Sequence, residues 1–228
     1  MDGDGILTRR PRATSTLQVP STPEPITVSE MLAPVLVLAL LVPLVLRVLG
    51  DIRGAADLGL ALGAALLGVV ATDLTSGIVH FICDTFFAED TPIVGRALIE
   101  PFRRHHIDPG EIARTNILRV NRSNCLAMAA VLAAVALWRA ATPLTPRCLF
   151  GDAWLLGYSL AVALTNQIHR WAHAPVVPPA VRLLQASRVI LHPARHARHH
   201  STARHAFCIT TGWLNPLFDG FVHVLHLG

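Results

Sequence analysis

The sequence predicts an all-α integral membrane protein of about four transmembrane helices, and three observations carry that prediction. Hydrophobic residues make up 52% of the 228-residue chain and charged residues 15%, whereas an ordinary soluble domain is about 25% charged. Four apolar stretches, Met31 to Leu49, Ala55 to Thr72, Cys125 to Ala141 and Leu149 to Thr165, approach the ~20 residues that cross a bilayer core. His80, His105/His106, His169/His173 and His196/His199/His200 form tight clusters just beyond or between those stretches.

Residues 1–28 mix Pro, Thr, Ser and Arg without hydrophobic periodicity, the composition of a disordered tail. No apolar run follows Arg9, Arg10 and Arg12, and Asp2, Asp4, Glu24 and Glu30 are foreign to a transit peptide, so no targeting segment is expected. Residues 29–228 then form one membrane domain. Pro34 and Pro43 kink the first apolar stretch, which membrane helices tolerate. The second and fourth gain length from helical continuations beyond their apolar cores. Arg139 and Asp152 sit near span ends and are expected to reach for the interface. Ala180 to Leu191 is amphipathic through Val181, Leu184, Arg188 and Leu191, which suits a helix lying along the headgroups. Thr211 to Gly228 is apolar but broken by Gly212, Pro216 and Gly220, so it reads as a cap or re-entrant piece.

All positive charge comes from arginine, giving a net +4. Anionic headgroups explain this better than nucleic acid, because base-stacking aromatics are sparse, with one Tyr and four Trp. Six arginines lie in the 88–123 connection (Arg96, Arg103, Arg104, Arg114, Arg119 and Arg122), six after residue 166 and three in the tail. The opposite loops and their flanks hold only Arg47, Arg53, Arg139 and Arg147. The positive-inside rule then puts both termini and every histidine cluster on the cytoplasmic side. Cys83, Cys125, Cys148 and Cys208 stand far apart, so neither a zinc knuckle nor a disulfide framework is expected.

On a helix, residues four apart project from one face, so His169 and His173 in NQIHRWAH can converge on one ion. His196, His199 and His200 in HARHH sit at i, i+3 and i+4, within one helical arc. Asp73, His80 and Asp84 in DLTSGIVHFICDT also share a face, where Gly77 would admit another helix. His80 reads as a ligand and Asp84 as a ligand or the carboxylate orienting an imidazole. Asp73 is either a supporting partner or paired with an arginine. His105 and His106 in PFRRHHIDP cannot share a helix face well, yet in a proline-bounded turn they can reach different ions. Arg103 and Arg104 suit phosphate headgroups or an acidic electron donor, and Asp108, Asn121, Asn166 and Gln167 are candidate supports behind the ligands. His192, His205, His223 and His226 match no ligand spacing. Eight imidazoles exceed the needs of one four-coordinate ion, so two metal ions are the economical reading. Zinc lacks redox chemistry; a histidine-rich site beside lipid fits iron, which activates oxygen against unactivated C–H bonds.

DLTSGIVHFICDT (73–85), PFRRHHIDP (101–109), NQIHRWAH (166–173, counting Asn166 as its first residue) and FCITTGWLN (207–215) occur in an order that resembles the plasmanylethanolamine desaturase family, also called CarF-like or Kua lipid desaturases. The resemblance runs from about residue 55 to 220. It implies a membrane di-iron enzyme that uses O₂ and two electrons, from an external donor of the cytochrome b5 or ferredoxin type, to introduce a double bond into a phospholipid chain. In animal and bacterial members an alkyl ether becomes the vinyl ether of a plasmalogen; a plant relative acts on an acyl chain. The family's ligand set falls on His80, His105, His106, His169, His173, His196, His199 and His200. Two departures stand out: Arg195 in RHARHH occupies a position where relatives often carry histidine, with His192 as a substitute, and VNRSN replaces TNGDN at 120–124.

Two other readings compete. A desaturase or hydroxylase of an ester-linked acyl chain would share iron and fold. A non-enzymatic haem-binding cytochrome would use one or two axial histidines, and leaves the tight clusters unexplained. A metal transporter would want polar residues within the spans rather than at one face.

Overall fold

A computed structural model describes residues 25–142 and 148–224. The greater part of the expected tail, Arg147 and His226 lie outside the described residues. The described chain is helical: α1 (Val28–Asp51), α2 (Ala55–Thr85), a π-helical turn at Gly95–Ile99, α3 (Glu100–Ile107), α4 (Glu111–Arg114), α5 (Ile117–Ala141), α6 (Leu149–His173), α7 (Pro179–Ala186), α8 (Pro193–Thr202) and α9 (Asn215–Val224).

Helix α1 starts in a capping box. The Glu30 N–H donates to Thr27 Oγ1, and the Thr27 N–H donates to Glu30 Oε2, so two otherwise orphaned amides are satisfied reciprocally. Pro34 and Pro43 lie inside α1 without interrupting it. Helix α2 runs for 31 residues, about 46 Å at 1.5 Å per residue, which exceeds a ~30 Å hydrocarbon core. That excess length leaves its last turns, which carry His80 and Asp84, free to extend past the apolar zone.

The four long helices pack as a bundle, α2 along α6 and α1 along α5, with α6 also touching α1 and α5. Small residues make the close crossings. A Cβ on Gly157 of α6 would stand 2.1 Å from the Ala65 carbonyl oxygen of α2, and one on Gly68 would stand 2.3 Å from that of Trp154. Without a water-driven hydrophobic force inside lipid, such close backbone approach is what holds helices together. Leu38, Leu46, Leu62 and Leu137 face outward and exposed, as lipid-facing positions do.

Polar pins lock both ends. Glu30 of α1 accepts from Arg119 of α5 at 2.6 Å. At the other end the fully buried Asp152 of α6 accepts from Arg47 of α1 at 3.0 Å and from Arg139 of α5. Asp152 thus does not reach for an interface; it is drawn inward by two guanidiniums. These contacts align α1 with α5 and oppose them to α6. A buried carboxylate stripped of its partners costs about 3–5 kcal/mol. The Arg47→Ala/Arg139→Ala variant is accordingly expected to lose about that much stability, checked by unfolding in detergent.

Three helices, α1, α2 and α5, are long and apolar enough to cross a membrane. The fourth expected span, α6, has their length but falls short in apolar character, because Asp152, Asn166, Gln167, His169 and His173 interrupt it. The expected surface helix ends at Ala186 rather than Leu191, since Arg188 takes a left-handed φ of 60°. Helix α9 has 10 residues, too few to span.

Candidate metal centre

Four elements deliver the clustered histidines to one end of the bundle: α2 brings His80, α3 brings His105 and His106, α6 brings His169 and His173, and α8 brings His196, His199 and His200. All eight meet there, together with Asp84. They divide into two groups whose ligand atoms each lie within 4.8 Å of one another: His105, His169, His173, His196 and His200, and His80, Asp84, His106 and His199.

In the five-histidine group the Nε2 atoms face one another. His169 and His196 stand 2.7 Å apart, His196 and His200 3.0 Å, His105 and His200 3.1 Å, and His173 and His200 3.2 Å. In the other group Asp84 Oδ2 stands 3.0 Å from His106 Nε2, 3.2 Å from that of His199 and 3.3 Å from that of His80. Nitrogens about 2.1 Å from a common ion stand roughly 3 Å apart in ordinary coordination polyhedra, so these spacings fit two ions.

The hydrogen bonds behind the second group sharpen the fit. His80 Nδ1 lies 3.1 Å from the Phe207 carbonyl, and His199 Nδ1 lies 2.8 Å from the His205 carbonyl. A carbonyl only accepts, so both Nδ1 atoms carry hydrogen, and in the neutral imidazole that leaves each Nε2 with its lone pair. Those lone pairs point at each other's neighbourhood and at a carboxylate, acceptor against acceptor. A cation in their midst reconciles them.

Burial and neighbouring imidazoles push His105, His196 and His200, all outside the long helices, toward neutrality. Burial first, then His173 and His200, takes His105 down to about 2; burial, then His106 and His173, takes His200 to about 3; burial, then His169 and His173, holds His196 well below its ordinary value. Neutral imidazole is the metal-binding form. Between pH 6.5 and about 3 the unfolded chain binds protons at these positions that the folded, metal-free chain refuses, so stability rises with pH across that window. The metal-free protein is expected to hold its stability above pH 6.5 and lose it as pH falls toward 3. Thermal unfolding in detergent at pH 7.5 and pH 5 checks this; equal midpoints would contradict it.

Several sequence expectations need correction. Asp73 pairs with no arginine and touches no imidazole. Its Oδ1 accepts from the Thr211 and Gly212 N–H groups and its Oδ2 from the Leu214 N–H. Gly77 admits Cys208, not a helix: a Cβ there would stand 2.5 Å from the Cys208 sulfur. Asp108 pairs with Arg114. Asn121 meets Gln167 at 3.4 Å and Asn166 donates to the Val120 carbonyl, so these three fasten α5 to α6 rather than supporting ligands. Arg195 turns from the imidazoles to the Gly212 carbonyl, and His192 caps α8 through Nδ1, so neither takes a ligand's place. Sequence reasoning missed the backbone carbonyls of 205 and 207, whose role leaves no side-chain signature.

The family profile of the lipid desaturase domain matches residues 69–225, a stretch containing both groups and the loop behind them. The chain belongs to the lipid desaturase family. It is 38% identical to a plasmanylethanolamine desaturase of Myxococcus xanthus, over 68% of this chain and 55% of the relative. Identity to plasmanylethanolamine desaturase 1 of Mus musculus is 43%, over 66% and 58%. Identity to the chloroplastic fatty acid desaturase 4 of Arabidopsis thaliana is 31%, over 68% and 47%. The matches span about half the length of these relatives. No solved structure matches this chain.

Proposed function

We propose that this lipid desaturase is an O₂-dependent di-iron enzyme that converts the alkyl ether of a plasmanyl phospholipid to the vinyl ether of a plasmenyl lipid. The convergence of eight imidazoles and Asp84 into two groups carries this reading. Bound iron supplies the O₂-dependent oxidation of an unactivated C–H bond. Overall, a –CH₂–CH₂– unit loses two protons and two electrons; O₂ takes these with two more protons and two more electrons, leaving a C=C bond and two waters. The electrons come from a separate donor of the cytochrome b5 or ferredoxin type.

The protein's part is to hold and exclude. His105, His169, His173, His196 and His200 hold one ion, and His80, His106, His199 and Asp84 the other. Asp84 contributes the one negative charge among nine donors, and its Oδ1, buried without a hydrogen-bond partner, is an acceptor for a proton beside the site. The bundle end keeps His80 and His199 from water, which protects an oxidising site from side reactions.

Two relatives named for plasmanylethanolamine favour the ether substrate, and the plant relative named for a fatty acid favours the alternative, an ester-linked acyl chain. Lipid extracts of expressing cells separate them: acid-labile aldehyde marks a vinyl ether, whereas a new double bond in saponifiable acids marks an acyl product. A haem cytochrome fits poorly, because nitrogens 2.7–3.3 Å apart leave no room for a macrocycle between them.

We further infer four spans, α6 included, with the metal centre cytoplasmic. Arg96, Arg103, Arg104, Arg114, Arg119 and Arg122 stand on the connection at the histidine end, while Arg47, Arg53 and Arg139 stand at the other. Cys148 is exposed and the other three cysteines are buried. A membrane-impermeant thiol reagent is therefore expected to label Cys148 from the non-cytoplasmic side alone. Cys208 is sealed between α2 and its own loop, and burial raises its thiol pKa. Labelling of intact inverted vesicles only would reverse the orientation.

A further inference from the structure

Residues 203–214 form a strap between α8 and α9, and six of its backbone N–H groups are tied to side chains of α2 or α9. Asp219 accepts from the Ala206 N–H at 2.7 Å, and Asn215 Oδ1 accepts from that of Cys208 at 2.7 Å while its Nδ2 returns a hydrogen bond to the Cys208 carbonyl. Ser76 Oγ accepts from the Ile209 N–H at 3.1 Å. Asp73 accepts three N–H groups, from Thr211, Gly212 and Leu214, at 2.7, 2.9 and 3.0 Å. Asp73 is fully buried, and a buried carboxylate persists only when hydrogen-bonded this fully. Gly212 takes a φ of 73°, which lets the strap turn over the carboxylate.

The strap's two carbonyls at the metal centre, those of His205 and Phe207, serve only one group. Both receive Nδ1–H groups from histidines of the four-donor group, His199 and His80. In the five-histidine group, Nδ1 of His196 and of His200 is buried with no hydrogen-bond partner. Orienting an imidazole through its far nitrogen fixes its tautomer and raises its basicity.

Building on the proposed metal reading, we infer that Asp73 is a positioning residue for one metal site of the two: through the strap it aims His80 and His199, so the site with Asp84 is pre-organised and the five-histidine site is not. The two sites therefore differ in how firmly they hold metal, and the difference is set from Asp73, which touches no ligand. Loss of such support typically weakens metal binding about 10–100-fold.

The test is metal per chain in detergent-purified protein after a fixed exposure to chelator, measured for wild type and Asp73→Asn beside the thermal midpoint of each metal-free form. The amide replaces one acceptor oxygen by an N–H₂ group that meets the strap's N–H donors head-on. The expected result is selective loss of one ion in Asp73→Asn while the other ion is retained, whatever fall the metal-free midpoint shows, and no further loss when His106→Ala is added. Equal metal retention in both proteins, loss of both ions together, or further loss on adding His106→Ala would each overturn it. If Asp73→Asn does not fold, Ser76→Ala removes a single strap contact and is expected to show the same selective loss, smaller in size; unchanged retention there overturns the inference. Wild type that holds two ions while the variants do too rejects this inference alone, whereas wild type that holds none rejects the metal reading beneath it.

Discussion

Replacing His169 or His199 by alanine is expected to abolish lipid desaturation, while replacing His223 leaves it intact. His169 belongs to the five-histidine group and His199 to the group with Asp84, so each change removes a donor from a different ion. Both imidazoles are buried. His223 is exposed on α9 and touches neither group. Product formation in expressing cells, normalised to folded protein by size-exclusion chromatography, checks this. Equal turnover in all three variants would contradict the assignment of the centre.

The second large effect is expected far from any histidine. Gly157→Leu places carbon where the Ala65 backbone already stands, 2.1 Å from its carbonyl oxygen and 2.7 Å from its Cα. A side chain could swing aside; backbone in the middle of a helix cannot. Overpacking a core ordinarily costs about 1–3 kcal/mol, and a clash with backbone stands at or above the top of that range. Forcing α2 from α6 also separates His80 and Asp84 from His169 and His173, so metal content is expected to fall with stability. Gly59→Leu on the same α2 meets nothing within 4 Å and serves as the matched control. Wild-type stability and metal content in Gly157→Leu would show that the α2–α6 crossing is looser than these distances state.

The long helices were legible because lipid leaves them little choice: a backbone in hydrocarbon must satisfy its own hydrogen bonds, so apolar length alone announces a helix. The clustering of the histidines was legible for a related reason. Spacings of three and four residues put His169 with His173, and His196 with His199 and His200, on single helical faces before any tertiary contact forms. The division into two groups was not, because it depends on how α3 docks against the end of the bundle, splitting adjacent His105 and His106 between different groups. Asp73 shows the same limit from another side. Its spacing from His80 and Asp84 correctly put all three on one face, yet its partners are amides of a loop 138 to 141 residues away, and amides carry no residue-type signal. Asp152, expected at an interface, pairs instead with two arginines from helices that sequence order alone does not bring together.

Quantifying metal in the purified, membrane-inserted protein tests the central claim most directly. The expected result is two iron ions per chain, ligated by nitrogen and oxygen alone. A chain that holds no iron, a single ion, or haem in its place would contradict it.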